Sequence, residues 1–250
     1  MSAVAPVALA VQKLTVRFGG IVALSDVDLT VTQGSRHGIL GPNGSGKTTL
    51  FNSISGLNTP AAGTISLLGT DVTARPARER ARMGLSRTFQ ITSLFPSLTV
   101  HENVAMATRM SDGVSGNWWK PSGAHATANA DASAMLDQLH IGHLAPRTVR
   151  SLGYGEQRQL EIAMALATRP AVLLLDEPTA GLSNAETVAL TELVRALPSE
   201  LTVLIIEHDL GVIFEVTDQL TVLQNGVMIA AGPSSQIRED PIVKEVYLGQ

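Results

Sequence analysis

The 250-residue sequence predicts an α/β fold: a parallel-sheet core carrying an antiparallel β subdomain and an inserted helical subdomain. Three observations point there. A glycine-rich loop, Gly41-Pro42-Asn43-Gly44-Ser45-Gly46-Lys47-Thr48, follows an apolar strand end and opens a helix. Two unbroken apolar runs, 171–175 and 201–206, have the character of parallel strands buried on both faces. Between the loop and these runs, the apolar residues switch to helical spacing.

Taken in order, Leu9 to Phe18 and Asp26 to Val31 alternate apolar with polar, as half-buried antiparallel strands do. Gly38-Ile39-Leu40 ends a buried strand, and Thr48 to Ile54 forms the first turns of a helix. Gly63 to Leu68 is a third antiparallel strand closed by Gly69, and Leu85 to Gln90 is another short strand. Val100 to Met110 and Ala124 to His140 have helical spacing, with Met135, Leu136 and Leu139 on one face. Ser111 to Gly123 reads as a Gly/Ser-rich loop holding Trp118 and Trp119, taken as loop anchors. Glu156 to Thr168 is apolar nearly all round and predicts a buried helix. Ala185 to Leu197 is a helix whose Ser183 and Glu186 have capping-box spacing. Asn225-Gly226 joins two apolar runs as a hairpin turn, and Pro241 to Leu248 is a terminal helix. The chain reads as one domain. Residues 1–90 and 151–250 form the core with its β subdomain; the helical subdomain starts at about 91–150 and continues to about 168.

Composition narrows the function classes. Hydrophobic residues are 44% and charged residues 16%, with mean hydropathy +0.19, which is apolar enough to imply surface reserved for a partner. The net charge of −4 and the lack of a Lys/Arg run argue against a nucleic-acid partner. With no cysteine there is no disulfide framework, thiolate site or Cys nucleophile. No segment approaches the roughly 18 apolar residues of a membrane span. The apolar start lacks a basic region, so it does not read as a signal peptide and a cytoplasmic location is expected.

The loop fits the spacing G-x-x-x-x-G-K-[ST]. Glycines let backbone N–H groups turn inward around a phosphate; Lys47 reaches further phosphate oxygens, the Thr48 hydroxyl ligates Mg²⁺, and Thr49 continues the helix whose dipole favours the anion. The second motif, Val172-Leu173-Leu174-Leu175-Asp176-Glu177-Pro178, delivers two carboxylates at a strand's C-terminal end, where open α/β sheets place ligands. Asp176 would hold Mg²⁺ through water, and Glu177 would polarise an attacking water as general base. Alone, the pair is equally a strand end followed by an acidic turn.

Ser151-Leu152-Gly153-Tyr154-Gly155-Glu156-Gln157 completes a pattern. The chain resembles, over essentially its whole length, an ATP-binding subunit of an ABC transporter, whose signature reads Leu-Ser-Gly-Gly-Gln. Leu152, Gly155 and Gln157 (displaced by Glu156) keep that outline. The resemblance implies the ABC ATPase fold, with its P-loop NTPase core, and ATP with Mg²⁺ as ligands. It implies an adenine-stacking ring at Phe18, a Mg²⁺-contacting glutamine at Gln90, and a γ-phosphate-sensing histidine at His208. The bland alternatives are a core aromatic, a solvated strand end and a satisfied strand-end histidine. His37, His101, His125, His140 and His143 lack metal spacing.

Two positions depart from the family: Gly153 replaces the signature serine, and Ser183 replaces the acidic residue common after the catalytic glutamate. The resemblance further implies a head-to-tail homodimer, or a heterodimer with a second ABC ATPase, that sandwiches two ATP molecules. The phosphate loop of one subunit would face Gly153-Tyr154-Gly155 of the other. Separate transmembrane permease subunits, an extracytoplasmic substrate-binding protein and a peripheral place on the cytoplasmic face of the inner membrane follow from the same source. A finer resemblance is to the ATPases of branched-chain (hydrophobic) amino acid importers, through Arg87-Thr88-Phe89-Gln90-Ile91, Ile206-Glu207-His208-Asp209-Leu210 and the closing Val246-Tyr247-Leu248-Gly249-Gln250. An export-type or lipid-transport ABC ATPase is the alternative within the family. A DNA-maintenance ATPase would need a long coiled-coil insert where no sustained heptads occur. A regulatory module without turnover would not need Lys47, Asp176, Glu177 and His208 together.

Overall fold

The computed structural model describes residues 6–88, 94–111 and 122–248. The first half runs β1 (Val7–Phe18), β2 (Ile21–Thr32), β3 (Arg36–Leu40), α1 (Lys47–Ser55), β4 (Ala62–Leu67), β5 (Thr70–Asp71), α2 (Ala77–Arg82), β6 (Leu85–Arg87), α3 (Val100–Ser111) and α4 (Ser122–Gln138). There follow α5 (Tyr154–Ala167), β7 (Val172–Asp176), α6 (Asn184–Arg195), β8 (Thr202–Ile206), α7 (Leu210–Val216), β9 (Gln219–Gln224), β10 (Val227–Pro233), α8 (Ser234–Ile237) and α9 (Pro241–Leu248). Two compact units result. One comprises Met1–Arg87, Ala171–Glu177 and Ser199–Gln250; the other comprises Thr88–Pro170 and Pro178–Pro198. Helix α6, which the sequence reading keeps with the core, thus groups with the helical residues.

In the first unit the alternating strands pair antiparallel in the order β2-β1-β4-β5. The second sheet has the order β10-β9-β3-β8-β7-β6. Its five strands from β9 to β6 are parallel, and β10 returns antiparallel through Asn225 and Gly226, both at positive φ (49° and 78°), as a tight hairpin requires. Period-two geometry divides the apolar runs between faces. Val172, Leu174, Leu204 and Ile206 join a core with Leu50, Phe51 and Ile54 of α1 and the inner residues of β1, β2 and β4. Their neighbours Leu173, Leu175, Val203 and Ile205 are buried outside that cluster, which explains the continuous hydrophobicity of both strands. His37 on β3 is also buried, its Nε2 2.8 Å from the Thr221 hydroxyl, and burial pushes the imidazole from 6.5 down to about 4.

The second unit is helical. Val104, Ala105, Ala132, Leu136, Leu160, Ile162 and Ala163 are buried in it, and α5 is the largely buried helix that its composition predicts. Asn103 is wholly buried and satisfied: its Oδ1 accepts from Phe95 N–H (2.9 Å), and its amide donates to the carbonyls of Phe95 (3.2 Å) and Thr99 (2.8 Å). The expected 111–123 loop is narrower at its edges, because Ser111 ends α3 and Ser122 and Gly123 begin α4. Trp118 and Trp119 lie outside the described residues, as does Gln90 beyond the strand that ends at Arg87.

Candidate nucleotide site

The parallel strands carry the candidate residues at their C-terminal ends. The glycine-rich loop follows β3, Asp176 and Glu177 end β7, and His208 follows β8. Because β8 lies between β3 and β7, with Asp176 in register with Ile206, these segments leave one edge of a single sheet. A cleft of about 470 Å³ opens there, lined by Ile21 and Val22, loop residues 43–49, Glu177 and the Asn225-Gly226 hairpin tip. The hairpin tip is fastened to the loop, since Gly226 N–H donates to Ser45 O (3.0 Å) and Ser25 N–H to Gly226 O (2.8 Å). Phe18 is half exposed and pairs across the β1–β2 hairpin with Ile21, so it is not a core aromatic.

The loop fits a polyphosphate. Gly46 sits at φ 104°, and a Cβ there would stand 2.6 Å from Leu24 Cδ2 and 2.9 Å from Ala23 O, so only glycine brings the backbone this close. No side chain caps the first turn of α1, which keeps its N–H groups available to an anion. Ser45 Oγ is buried without a hydrogen-bond partner, an orphan that a phosphate oxygen would satisfy. Lys47 is buried, and its Nζ donates to the carbonyls of Gly41 (2.6 Å) and Pro42 (3.1 Å). Burial pushes its ammonium below the usual lysine range, while Glu177 and then Asp176 pull it back up. A cation opposite two carboxylates is the charge arrangement that a metal–polyphosphate substrate needs.

Asp176 is buried, and its Oδ2 accepts from Arg87 Nη2 at 2.6 Å. Glu177 holds a left-handed backbone (φ 45°) and donates its N–H to Ile206 O (2.9 Å). Such a conformation in a non-glycine residue costs about 1–3 kcal/mol and concentrates at functional sites. His208 presents an exposed ring, while its N–H donates to Oε2 of the fully buried Glu207 (3.1 Å).

In the second unit, Gly153 is the N-cap of α5 and its N–H donates to Glu156 Oε2 (2.8 Å). Glu156 also pairs with Arg147. Gln157 Nε2 donates to Leu152 O (3.2 Å), and the half-exposed Tyr154 accepts from Arg158 at 2.7 Å. Ser183 does cap α6, in a full capping box with Glu186. Glu186 has a second task, since its Oε1 accepts from Gly155 N–H (3.1 Å). A Cβ at Gly155 would lie within 2.7–2.9 Å of the Glu186 side chain, so a larger residue there would displace that side chain. Sequence reasoning missed both Arg87, which it quotes inside a motif without a role, and this bond of Glu186. No local signal marks Arg87, because its partner Asp176 lies 89 positions along the chain.

A family model described as ABC transporter matches residues 24–180. The chain belongs to the ABC transporter family. This ABC ATPase is 39% identical over 249 residues to the high-affinity branched-chain amino acid transport ATP-binding protein BraF of Pseudomonas aeruginosa, covering 97% of this chain and 98% of that one. It is 34% identical over 244 residues, 97% of each, to the lipopolysaccharide export system ATP-binding protein LptB of Escherichia coli K12. An ATP-binding cassette of an ABC transporter, solved in its ADP conformation, superposes with a TM-score of 0.82 at 30% identity, covering 98% of this chain and 99% of that one. The chain is thus an ATP-binding, ATP-hydrolysing subunit of an ABC transporter, closely similar to the ATPases of branched-chain amino acid importers. No helix among the described residues is long and apolar enough to cross a membrane.

Proposed function

We propose that this ABC ATPase powers the import of branched-chain or other hydrophobic amino acids, working as a dimer on the cytoplasmic face of the membrane with separate permease subunits and an extracytoplasmic substrate-binding protein. The 39% identity along nearly the whole length of a branched-chain transport ATPase supports it best. The 34% identity to a lipopolysaccharide-export ATPase favours lipid export as a second reading.

In hydrolysis the loop 41–49 holds the polyphosphate through backbone N–H groups, and Lys47 exchanges its carbonyl contacts for phosphate oxygens. Phe18 offers a face to adenine. Thr48 and Asp176, with Gln90, would hold Mg²⁺, which would draw charge from the phosphate oxygens. Glu177 takes the proton of the attacking water as its oxygen bonds to the γ-phosphorus and the bond to ADP breaks. His208 donates to the γ-phosphoryl group. Residues 152–157 meet the nucleotide held by a partner subunit, with backbone N–H groups where Gly153 supplies no hydroxyl.

Two measurements test this. Lys47→Ala should abolish tight ATP binding, whereas Glu177→Gln should keep binding and slow turnover by roughly 10²–10⁴-fold, the usual worth of a general base. Unchanged turnover in Glu177→Gln refutes the base assignment. For the cargo, the ATPase reconstituted with its co-purifying permease should turn over faster when a binding protein presents leucine or isoleucine. Stimulation by lipopolysaccharide instead would establish the export reading.

A further inference from the structure

Arg87 makes more contacts than its ion pair with Asp176. Nη2 grips Asp176 Oδ2 (2.6 Å), while Nη1 donates to Asn52 Oδ1 (2.8 Å) and to Ser55 Oγ (2.9 Å). The guanidinium also lies 5.8 Å from the Phe51 ring centroid. Phe51, Asn52 and Ser55 all belong to α1, the helix that opens with Lys47 and Thr48. One rigid fork therefore spans from the carboxylate at the end of β7 to the helix that carries the phosphate loop.

Stability alone does not account for this arrangement. A buried ion pair gains little net free energy once desolvation is charged against it. Here the cost is higher, because Arg87 Nε is buried without any partner. What the fork does accomplish is geometric. It holds one oxygen of Asp176 and ties it to α1, the helix whose first turn carries Thr48.

We propose that Arg87 is the positioning residue of the metal site, clamping Asp176 to α1 so that its carboxylate and the Thr48 hydroxyl are held ready for one divalent cation. The assignment rests on the metal role proposed for Asp176. Two opposite effects are at stake. A guanidinium beside the carboxylate repels a cation, so a purely electrostatic Arg87 would weaken metal binding and its removal would tighten it. A clamp has the reverse sign, and loss of an outer-sphere partner typically costs 10–100-fold in metal affinity.

The test is Mn²⁺ binding to the full chain in the presence of a non-hydrolysable ATP analogue, followed by electron paramagnetic resonance. Arg87→Met removes charge and fork while keeping much of the volume. Arg87→Lys keeps the charge and loses the fork. Both should weaken Mn²⁺ binding about tenfold, with metal-free affinity for the analogue unchanged. Asn52→Ala frees one tine without touching Asp176, and should weaken Mn²⁺ binding several-fold; it decides the matter if the Arg87 variants fail to fold. In an Asp176→Asn background the Arg87 substitutions should have no further effect. Unchanged or tighter Mn²⁺ binding in Arg87→Met, or wild-type binding in Arg87→Lys, overturns the clamp. Unchanged binding in Asp176→Asn alone would instead remove the metal role of Asp176, a different pattern of results.

Discussion

Mild acid should destabilise this ATPase through a histidine remote from the chemistry. His37 is 6% exposed on the strand that feeds the phosphate loop, and burial lowers its pKa from 6.5 to about 4. The folded chain keeps this imidazole neutral, while the unfolded chain protonates it below its ordinary pKa. A depressed folded pKa therefore contributes stability that is fully present above 6.5 and lost as pH falls towards 4. The full loss is about 3 kcal/mol, and about 2 kcal/mol is gone by pH ~5. The assay is urea unfolding at several pH values, comparing wild type with His37→Gln, which offers Thr221 a polar partner that does not titrate. Subtracting the variant removes the contribution of every other titrating group. The wild type should lose about 2 kcal/mol relative to His37→Gln between pH ~7.5 and pH ~5. A flat difference over that window would falsify the burial account of His37.

Three further outcomes are expected. With Glu177→Gln, Mg-ATP should shift light scattering from monomer to dimer, because the binding free energy of two nucleotides is retained when hydrolysis is blocked; a monomer with and without nucleotide would refute the homodimer, through either an absent sandwich or one that needs a different ATPase subunit as its other half. Gly153→Ser should fold normally, since a Cβ there meets only Glu156 Oε2 at 3.8 Å; at saturating Mg-ATP its turnover should rise several-fold if the missing hydroxyl limits the rate, and no change would assign the contact to the backbone. Glu186→Ala removes both the α6 capping box and the acceptor for Gly155 N–H, and should lower the thermal unfolding midpoint; a melting temperature equal to wild type would show that neither the box nor the bond to Gly155 contributes.

The legible parts of this chain were those whose cause is local. Alternation gives β1 and β2, unbroken apolar runs give β7 and β8, and Asn225-Gly226 gives its hairpin. Ser183 and Glu186 give their cap, because each depends on residues a few positions apart. The short helices α2, α7 and α8 carry too few turns for periodicity to mark them, and tertiary contact supports them instead. The phosphate loop was readable because its spacing is itself the mechanism. The Arg87–Asp176 pair was not, since the partners stand 89 positions apart and nothing near either residue names the other. The same holds for the seating of the hairpin tip on Ser45, which joins the loop to a segment far along the chain.

Strand β3 has a consequence for biosynthesis. Both of its neighbours, β8 and β9, come after Leu201, and among the described residues no earlier strand pairs with it. On a translating ribosome the phosphate loop is therefore complete in sequence long before its supporting strand has anything to hydrogen-bond with. At roughly 5–20 residues per second, the wait lasts on the order of ten to forty seconds. The antiparallel hairpin of β1 and β2, by contrast, can close as soon as it emerges. The nascent chain thus closes its β1–β2 hairpin first and gains the support of its phosphate loop last, so a stalled or prematurely ended polypeptide leaves Ile39 and Leu40 of β3 without their partner strands.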